Sequence, residues 1–131
     1  MKADSLEELM NNMFNREFLE MRNPNACFSM SLAIKEQHNN TQARKCVSEL
    51  FYGYSINSMQ ADFDRLINKG LIPPSDTKTI AAILMFGVIA INDIRLHEYI
   101  SSEPIVDYMK IYNDLKELIT SVLLKGNENC L

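Results

Sequence analysis

The sequence has only two histidines and four glycines, and no tryptophan. The first two shortages each exclude a kind of site. His38 and His97 lie in different segments, and no pair of histidines or cysteines has the spacing of metal ligands. The glycines stand singly, so no glycine-rich loop is present to hold a phosphate group. We therefore expect neither a metal ion nor a cofactor.

Cysteines are few and odd in number. Cys27, Cys46 and Cys130 are widely spaced, which fits neither a disulfide framework nor a zinc site of paired thiolates. Glu7 and Glu8 interrupt the stretch that a secretory signal peptide would need to keep apolar. These features predict a protein of the reducing cytoplasm.

Long apolar runs and runs of like charge are also missing. The longest apolar run, Ile80 to Ile91, has twelve residues, whereas a helix needs about twenty to cross a bilayer. Seventeen acidic against thirteen basic residues give a formal net charge of -4, which does not attract phosphate backbones. We expect no membrane and no direct nucleic-acid partner.

The composition is that of one soluble globular domain. The 131 residues are 47% hydrophobic and 23% charged, and such a chain has the length of a single domain. Apolar residues recur at helical spacing through most of the sequence. We predict an all-α, single-domain bundle over residues 1–131, with six or seven helices around a central apolar helix at about 77–92 and a frayed tail at 127–131.

Capping and stop signals place the helix boundaries. Ser5 and Glu8 have the spacing of a capping box, and Thr41 can cap the third helix. Gly53, Gly70 and Gly126 are each expected to end a helix. The predicted helices span about 6–22, 26–37, 41–53, 55 or 58 to 69, 77–92 with a bend or an end before 101, and 102–125.

The segment Phe28 to Ile34 has two interpretations. Its apolar residues alternate with small ones, which is typical of a strand, but Cys27, Met30 and Ile34 also share one helical face. We choose the helix, because no second convincing strand is present to pair with this one.

The central helix is apolar on every side from Ile80 onward. Such a helix is expected to be surrounded by other helices. Gly87 in its middle weakens the helix by about 1 kcal/mol relative to alanine, so we expect it to serve the close approach of a neighbouring helix.

The sequence contains no complete set of catalytic residues. Asp93 and His97 are four residues apart, as in a carboxylate that orients a general base. No nucleophile or oxyanion donor accompanies them, and this pair is common on helix surfaces. Asp62 and Asp64 point in different directions on a helix, because residues two apart diverge. We predict that the chain is not an enzyme.

Acidic and aromatic residues are the candidate partner-binding groups. Glu17 and Glu20 on the first helix and Asp62 and Asp64 on the fourth can match a basic partner and speed encounter. We therefore predict that the chain is a small protein-binding module that acts as an inhibitor or immunity protein. Like an antitoxin, it would neutralise a basic protein such as a nuclease toxin.

Tyr52 and Tyr54 flank Gly53 and follow Phe51. Such a cluster at a helix end either packs under the turn or leaves its rings partly exposed for a partner. We include both tyrosines among the candidate partner-binding residues.

A central apolar helix, Thr79 to Ile91, with amphipathic helices around it and a polar turn after it, resembles the Bcl-2 proteins, including their short viral members. The resemblance covers about Thr41 to Leu124. Where that family usually carries Asn-Trp-Gly-Arg at the start of the central helix, this sequence has Asp76-Thr77-Lys78-Thr79. The resemblance implies a groove that binds helical peptides. A helical adaptor subunit of a larger assembly is the third alternative, and it requires an exposed apolar patch.

Overall fold

The computed structural model describes residues 3–21, 24–101 and 107–126. These ranges contain helices and connecting turns and no strand, so the prediction of an all-α chain is confirmed. The helices are α1 (Leu6–Met21), α2 (Pro24–Glu36), α3 (Thr41–Cys46), a π-helix (Val47–Ser55), α4 (Ile56–Asn68), α5 (Thr77–Ser101) and α6 (Tyr108–Lys125). The interpretation of residues 28–34 as a helix is confirmed, because they lie within α2.

The chain from residue 41 to residue 68 is one continuous helical segment. The predicted helix end at Gly53 is wrong, because this glycine lies inside the π-helix. Ser55, at the junction with α4, has helical dihedral angles of φ -68° and ψ -47°. The described ranges therefore contain five continuous helical segments, fewer than the six or seven that the sequence predicted.

Polar side chains begin several helices. The N–H of Glu8 donates to Ser5 Oγ over 3.1 Å, which is one half of the predicted capping box. The Glu8 carboxylate accepts from the N–H of Asp4 rather than from that of Ser5, so the other half is not formed as predicted. Asn40, and not Thr41, caps α3, since its Oδ1 accepts from the N–H of Ala43. Asp107 caps α6 through the N–H of Lys110. The start predicted at 102–104 lies outside the described residues, and the tail at 127–131 lies outside them as well.

One cluster of buried apolar side chains joins α1, α4, α5 and α6. Its least exposed large members are Met10, Phe63, Leu66, Leu84, Ile91 and Leu123. Tyr112 of α6 adds a hydroxyl that donates to the carbonyl of Phe14 in α1, and their rings meet edge to face at 4.8 Å. Burial of this cluster supplies the main stabilising free energy of the fold.

Helix α5 is longer than predicted, because its polar residues are accommodated by α2. Asn92 is buried and its amide nitrogen lies 3.3 Å from Met30 Sδ. Asp93 accepts from Ser31 Oγ over 3.2 Å. These contacts allow the helix to continue past the polar residues to Ser101.

Helix α5 contacts α1, α2, α4, α6 and the π-helix. The expectation that it is enclosed on every side is wrong, since Ile83 is 48% exposed and Phe86 is 54% exposed. By length and composition alone, residues 77–98 are apolar enough to cross a membrane, with a mean hydropathy of 1.8, and 44% of that window is buried. One apolar face of α5 is therefore open.

Helix α5 packs closely against α6 at Gly87. A Cβ at Gly87 would lie 2.6 Å from Leu115 Cδ2, far inside normal contact. The predicted close approach of a neighbouring helix at Gly87 is confirmed. Gly70 and Gly126, with φ of 72° and 63°, follow the ends of α4 and α6, as expected.

Candidate functional site

The acidic candidates are only partly available to a partner. Asp64 accepts a 2.6 Å hydrogen bond from Thr77 Oγ1, so its carboxylate connects α4 to the buried first residue of α5. Asp62 is half-exposed, and its carboxylate lies 3.9 Å from the guanidinium of Arg65. The side chains of Glu17 and Glu20 lie outside the described part of the structure. Asp64 thus has a structural role that its position in the sequence does not reveal.

The two tyrosine candidates are exposed. Tyr52 is 40% exposed and Tyr54 is 72% exposed, so of the two interpretations of this cluster, packing under the turn does not apply to these rings. Both tyrosines lie on the π-helix. The ring of Tyr52 meets the ring of Phe86 in α5 edge to face, with the ring centroids 6.1 Å apart. The side chain of Phe51 is not among those that the structure describes.

We give the name open aromatic face to the exposed large apolar side chains of the π-helix and of residues 83–86 of α5, two segments that the contact of Tyr52 with Phe86 joins. They are Leu50, Tyr52, Tyr54, Ile83 and Phe86. All five side chains are at least 40% exposed. Ile83 lies one turn before Phe86 on α5, and residues three apart on an α-helix share a face. A cluster of exposed large apolar side chains is a common mark of a protein-binding surface. Tyrosine is also one of the residue types that are enriched among the hot-spot residues of protein interfaces.

The sequence indicated only the tyrosine half of this face. Ile83 and Phe86 lie in a stretch that is apolar on all sides, so no polar side marks which direction faces solvent. Only the three-dimensional packing of α4 and α6 against α5 shows which side is left open.

Most described basic side chains make contacts within the chain. Eight of the ten described lysine and arginine side chains make an ion pair or hydrogen bond within the chain: Lys35, Arg44, Lys45, Arg65, Lys69, Arg95, Lys110 and Lys116. Glu7, Glu36 and Glu117 are exposed and have no such contact with another described residue. Six of these cations pair with a carboxylate, and each such pair neutralises one base and one acid. The ion pairs therefore leave the excess of acidic over basic residues unchanged.

Among the described residues, two charged groups have displaced pKa values. Hydrogen bonds from the hydroxyl and then the N–H of Thr79 hold the pKa of Asp76 below its usual 3.8. The hydrogen bond to Asp114, and the charge of that carboxylate, raise the pKa of Lys110. Both groups are exposed, and both shifts come from hydrogen bonds between neighbouring residues on a helix surface.

The candidate catalytic pair is not assembled. The Asp93 carboxylate accepts from Ser31 and lies 3.8 Å from Lys35 Nζ. Within the described chain it is directed to α2 and makes no hydrogen bond with His97. No group of three or more histidine, cysteine, aspartate or glutamate side chains among the described residues has the geometry to hold a metal ion.

A second surface feature is a groove of about 690 Å³ between α1 and α6. Apolar side chains of Leu6, Met10 and Leu124 line it, with Glu7 and Lys125 among its charged residues. Apolar clefts of this size are typical of ligand sites. The groove is separate from the open aromatic face, because it shares no residue with that face.

Comparisons with protein-family models, with curated proteins and with solved structures give no match.

Proposed function

We propose that this chain is a non-catalytic protein-binding module that uses the open aromatic face to bind a basic protein. The exposed ring pair of Tyr52 and Phe86 is the observation that carries the proposal, and Tyr54 adds a further exposed ring on the same π-helix. A partner that covers these rings removes apolar surface from water, which favours association. Rigid aromatic side chains also lose little conformational entropy when they are covered.

The basic character of the partner follows from charge. The chain has a formal net charge of -4, and its described cations are mostly engaged in contacts within the chain. A negative surface attracts a positive partner and raises the association rate. An inhibitor of a nuclease toxin has this chemistry, since a nuclease presents a positive surface to its nucleic acid.

The test is capture of partners by the tagged protein, followed by identification and affinity measurement. We expect one basic protein in stoichiometric amount, with an association rate that falls as salt rises. Tyr54→Ala should weaken that complex by about tenfold or more, because tyrosines often contribute more than 1 kcal/mol to an interface. Tyr54 is the more exposed of the two tyrosines. Its replacement removes little buried surface, so the variant should fold normally.

Leu71→Ala is the matched control. Leu71 is an exposed apolar residue outside the open aromatic face, and its removal should leave the affinity unchanged. Equal affinity of the two variants would contradict the proposal. So would binding to neutral lipid vesicles that Tyr54→Ala abolishes, since lipid would then be what covers the face.

The groove between α1 and α6 supports a second candidate, a module that binds an isolated amphipathic helix. Its apolar lining by Leu6, Met10 and Leu124 suits a helix that presents apolar anchors on one face. Such binding should depend little on salt, and it should be weakened by Leu124→Ala but not by Tyr54→Ala. The two variants therefore distinguish the two functions.

A further inference from the structure

Helices α5 and α6 lie antiparallel, and two contacts show it. Gly87 in α5 lies against Leu115 in α6. Gly126, directly after α6, lies against Pro73, which precedes α5. The chain therefore runs in opposite directions along the two helices. A residue one turn before Gly87 and a residue one turn after Leu115 thus lie side by side across the contact.

The exposed residues beside this contact are apolar in both helices. Ile83 and Phe86 are exposed on α5, and Leu118 and Val122 are exposed on α6. The core residues of both helices lie on the inner side of the contact, so these four side chains lie together on its outer side. Gly87 and Leu115, between them, are half-buried. We call this surface the outer α5–α6 face: Ile83, Phe86, Gly87, Leu115, Leu118 and Val122.

The outer α5–α6 face has no charge at its centre, since none of its six residues is charged. Asp93 and Asp114 flank it along α5 and α6. Each of these carboxylates forms an ion pair with a lysine of the same chain, Lys35 and Lys110 respectively. An apolar centre with a polar rim is typical of protein interfaces. The net charge of -4 acts on this face from outside it, where salt screens it.

The extent of the face suits a small dimer interface. Tyr52 of the π-helix meets Phe86 and extends the apolar surface beyond α5. These two rings and the exposed parts of Ile83, Leu118 and Val122 present roughly 300–400 Å² of apolar area. A specific interface at the small end of the range buries about 600 Å² on each chain, and about 65% of a homodimer interface is apolar. The requirement is therefore about 400 Å² of apolar surface on each chain.

We propose that a second copy of this chain covers the outer α5–α6 face in the free protein, so that two α5–α6 pairs pack face to face. The contact is isologous, because the same surface of each copy meets the other. The second copy is the one apolar partner that is always present in the free protein. The dimer concerns the free chain and does not rest on the proposed function. A basic partner that covers Ile83 and Phe86 takes the place of the second copy.

Analytical ultracentrifugation of the purified full chain over a series of concentrations tests the dimer. We expect a reversible equilibrium of monomer and dimer with a dissociation constant of about 1–100 µM, since interfaces near the lower size limit are weak. Added salt should not weaken this dimer, because two chains of like net charge have no attraction for salt to screen. A chain that stays monomeric throughout this concentration range would overturn the proposal.

Two variants locate the contact. Leu118→Lys should raise the dissociation constant at least about tenfold, because it places an unpaired charge at the centre of the interface. Leu124→Lys is the matched control. Leu118 and Leu124 lie on the same helix and are both 58% exposed, but Leu124 lines the groove toward α1. It should leave the dimer unchanged, and circular dichroism checks that both variants are folded. An equal effect of the two variants, or a loss of the dimer in Leu124→Lys alone, would refute this location.

A measurement without variants keeps the test independent of folding. In methyl-labelled wild-type protein, dilution should shift the NMR signals of the Ile83, Leu118 and Val122 methyl groups and leave those of Leu124 in place. Dilution shifts at Leu124 and not at Leu118 would contradict the proposal. The two proposals fail separately. A dimer that captures no basic protein removes the proposed function alone, and a basic partner bound by a chain that never dimerises removes the dimer alone.

Discussion

The contact between Gly87 and Leu115 gives a prediction whose sign depends on a second residue. Gly87→Ala removes a glycine from the middle of α5, which alone should stabilise the helix by about 1 kcal/mol. The new Cβ would lie 2.6 Å from Leu115 Cδ2 and 3.1 Å from Cδ1. Overpacking of this kind costs about 1–3 kcal/mol. The single variant should therefore be destabilised by about 0–2 kcal/mol.

Leu115→Ala removes the atoms that the new methyl group would meet. In that background, Gly87→Ala should stabilise the protein by about 1 kcal/mol, since only the helix-propensity term remains. The coupling free energy of the double-mutant cycle is then about 1–3 kcal/mol. Urea unfolding followed by circular dichroism measures each free energy of unfolding, with a common slope as the check that the transitions are comparable.

Leu118→Ala provides the matched control background. Leu118 is an exposed leucine one turn along α6, and it is not among the nearest atoms to a Cβ at Gly87. Gly87→Ala should behave there as it does in the wild-type protein. Equal effects of Gly87→Ala in all three backgrounds would refute the steric account of this helix contact.

Three further predictions concern stability. Gly126→Ala should lower the free energy of unfolding by at least about 1–3 kcal/mol in urea titration, because φ 63° and ψ -155° suit glycine alone and the Cβ would lie 2.7 Å from Pro73 Cγ; an unchanged midpoint would contradict it. Tyr112→Phe should cost about 0.5–1.5 kcal/mol by the same measurement, the net value of one hydrogen bond, because the carbonyl of Phe14 loses the hydroxyl donor but stays within α1. A neutral effect would contradict a stabilising role of this hydrogen bond. The pKa of Asp76 is lowered in the folded state, so the contribution of its carboxylate to stability is present above pH 3.8 and is lost as the pH falls through the lowered value. Asp76→Asn should thus be less stable than wild type at neutral pH and equally stable in acid. A difference in stability that persists in acid would refute the assignment.

Local signals in the sequence were sufficient where a helix has one polar and one apolar side. The buried side of α4, with Met59, Phe63 and Leu66, follows from helical spacing alone, and so does its end at Gly70. Both features depend on residues within a few positions of each other. Such short-range patterns are visible without knowledge of the rest of the fold.

Features that depend on distant residues were not predictable. The π pairing at Gly53 uses the same residue types as a helix end, so the sequence suggested an end. The ring contact of Tyr52 with Phe86 joins two helices that no sequence pattern relates. Asp64 was assigned to a partner, although its carboxylate accepts from Thr77 across a turn. Each of these outcomes is decided by tertiary packing.

The pairing of α1 with α6 bears on how the protein emerges from the ribosome. The hydroxyl of Tyr112 meets the carbonyl of Phe14 across 98 residues of sequence. At synthesis rates of about 5–20 residues per second, α1 is complete for roughly 5–20 s before this partner is made. During that interval the apolar residues of α1 that α6 later covers stay accessible to chaperones and to other nascent chains. Slower translation of the last third of the message should therefore increase aggregation of the newly made protein.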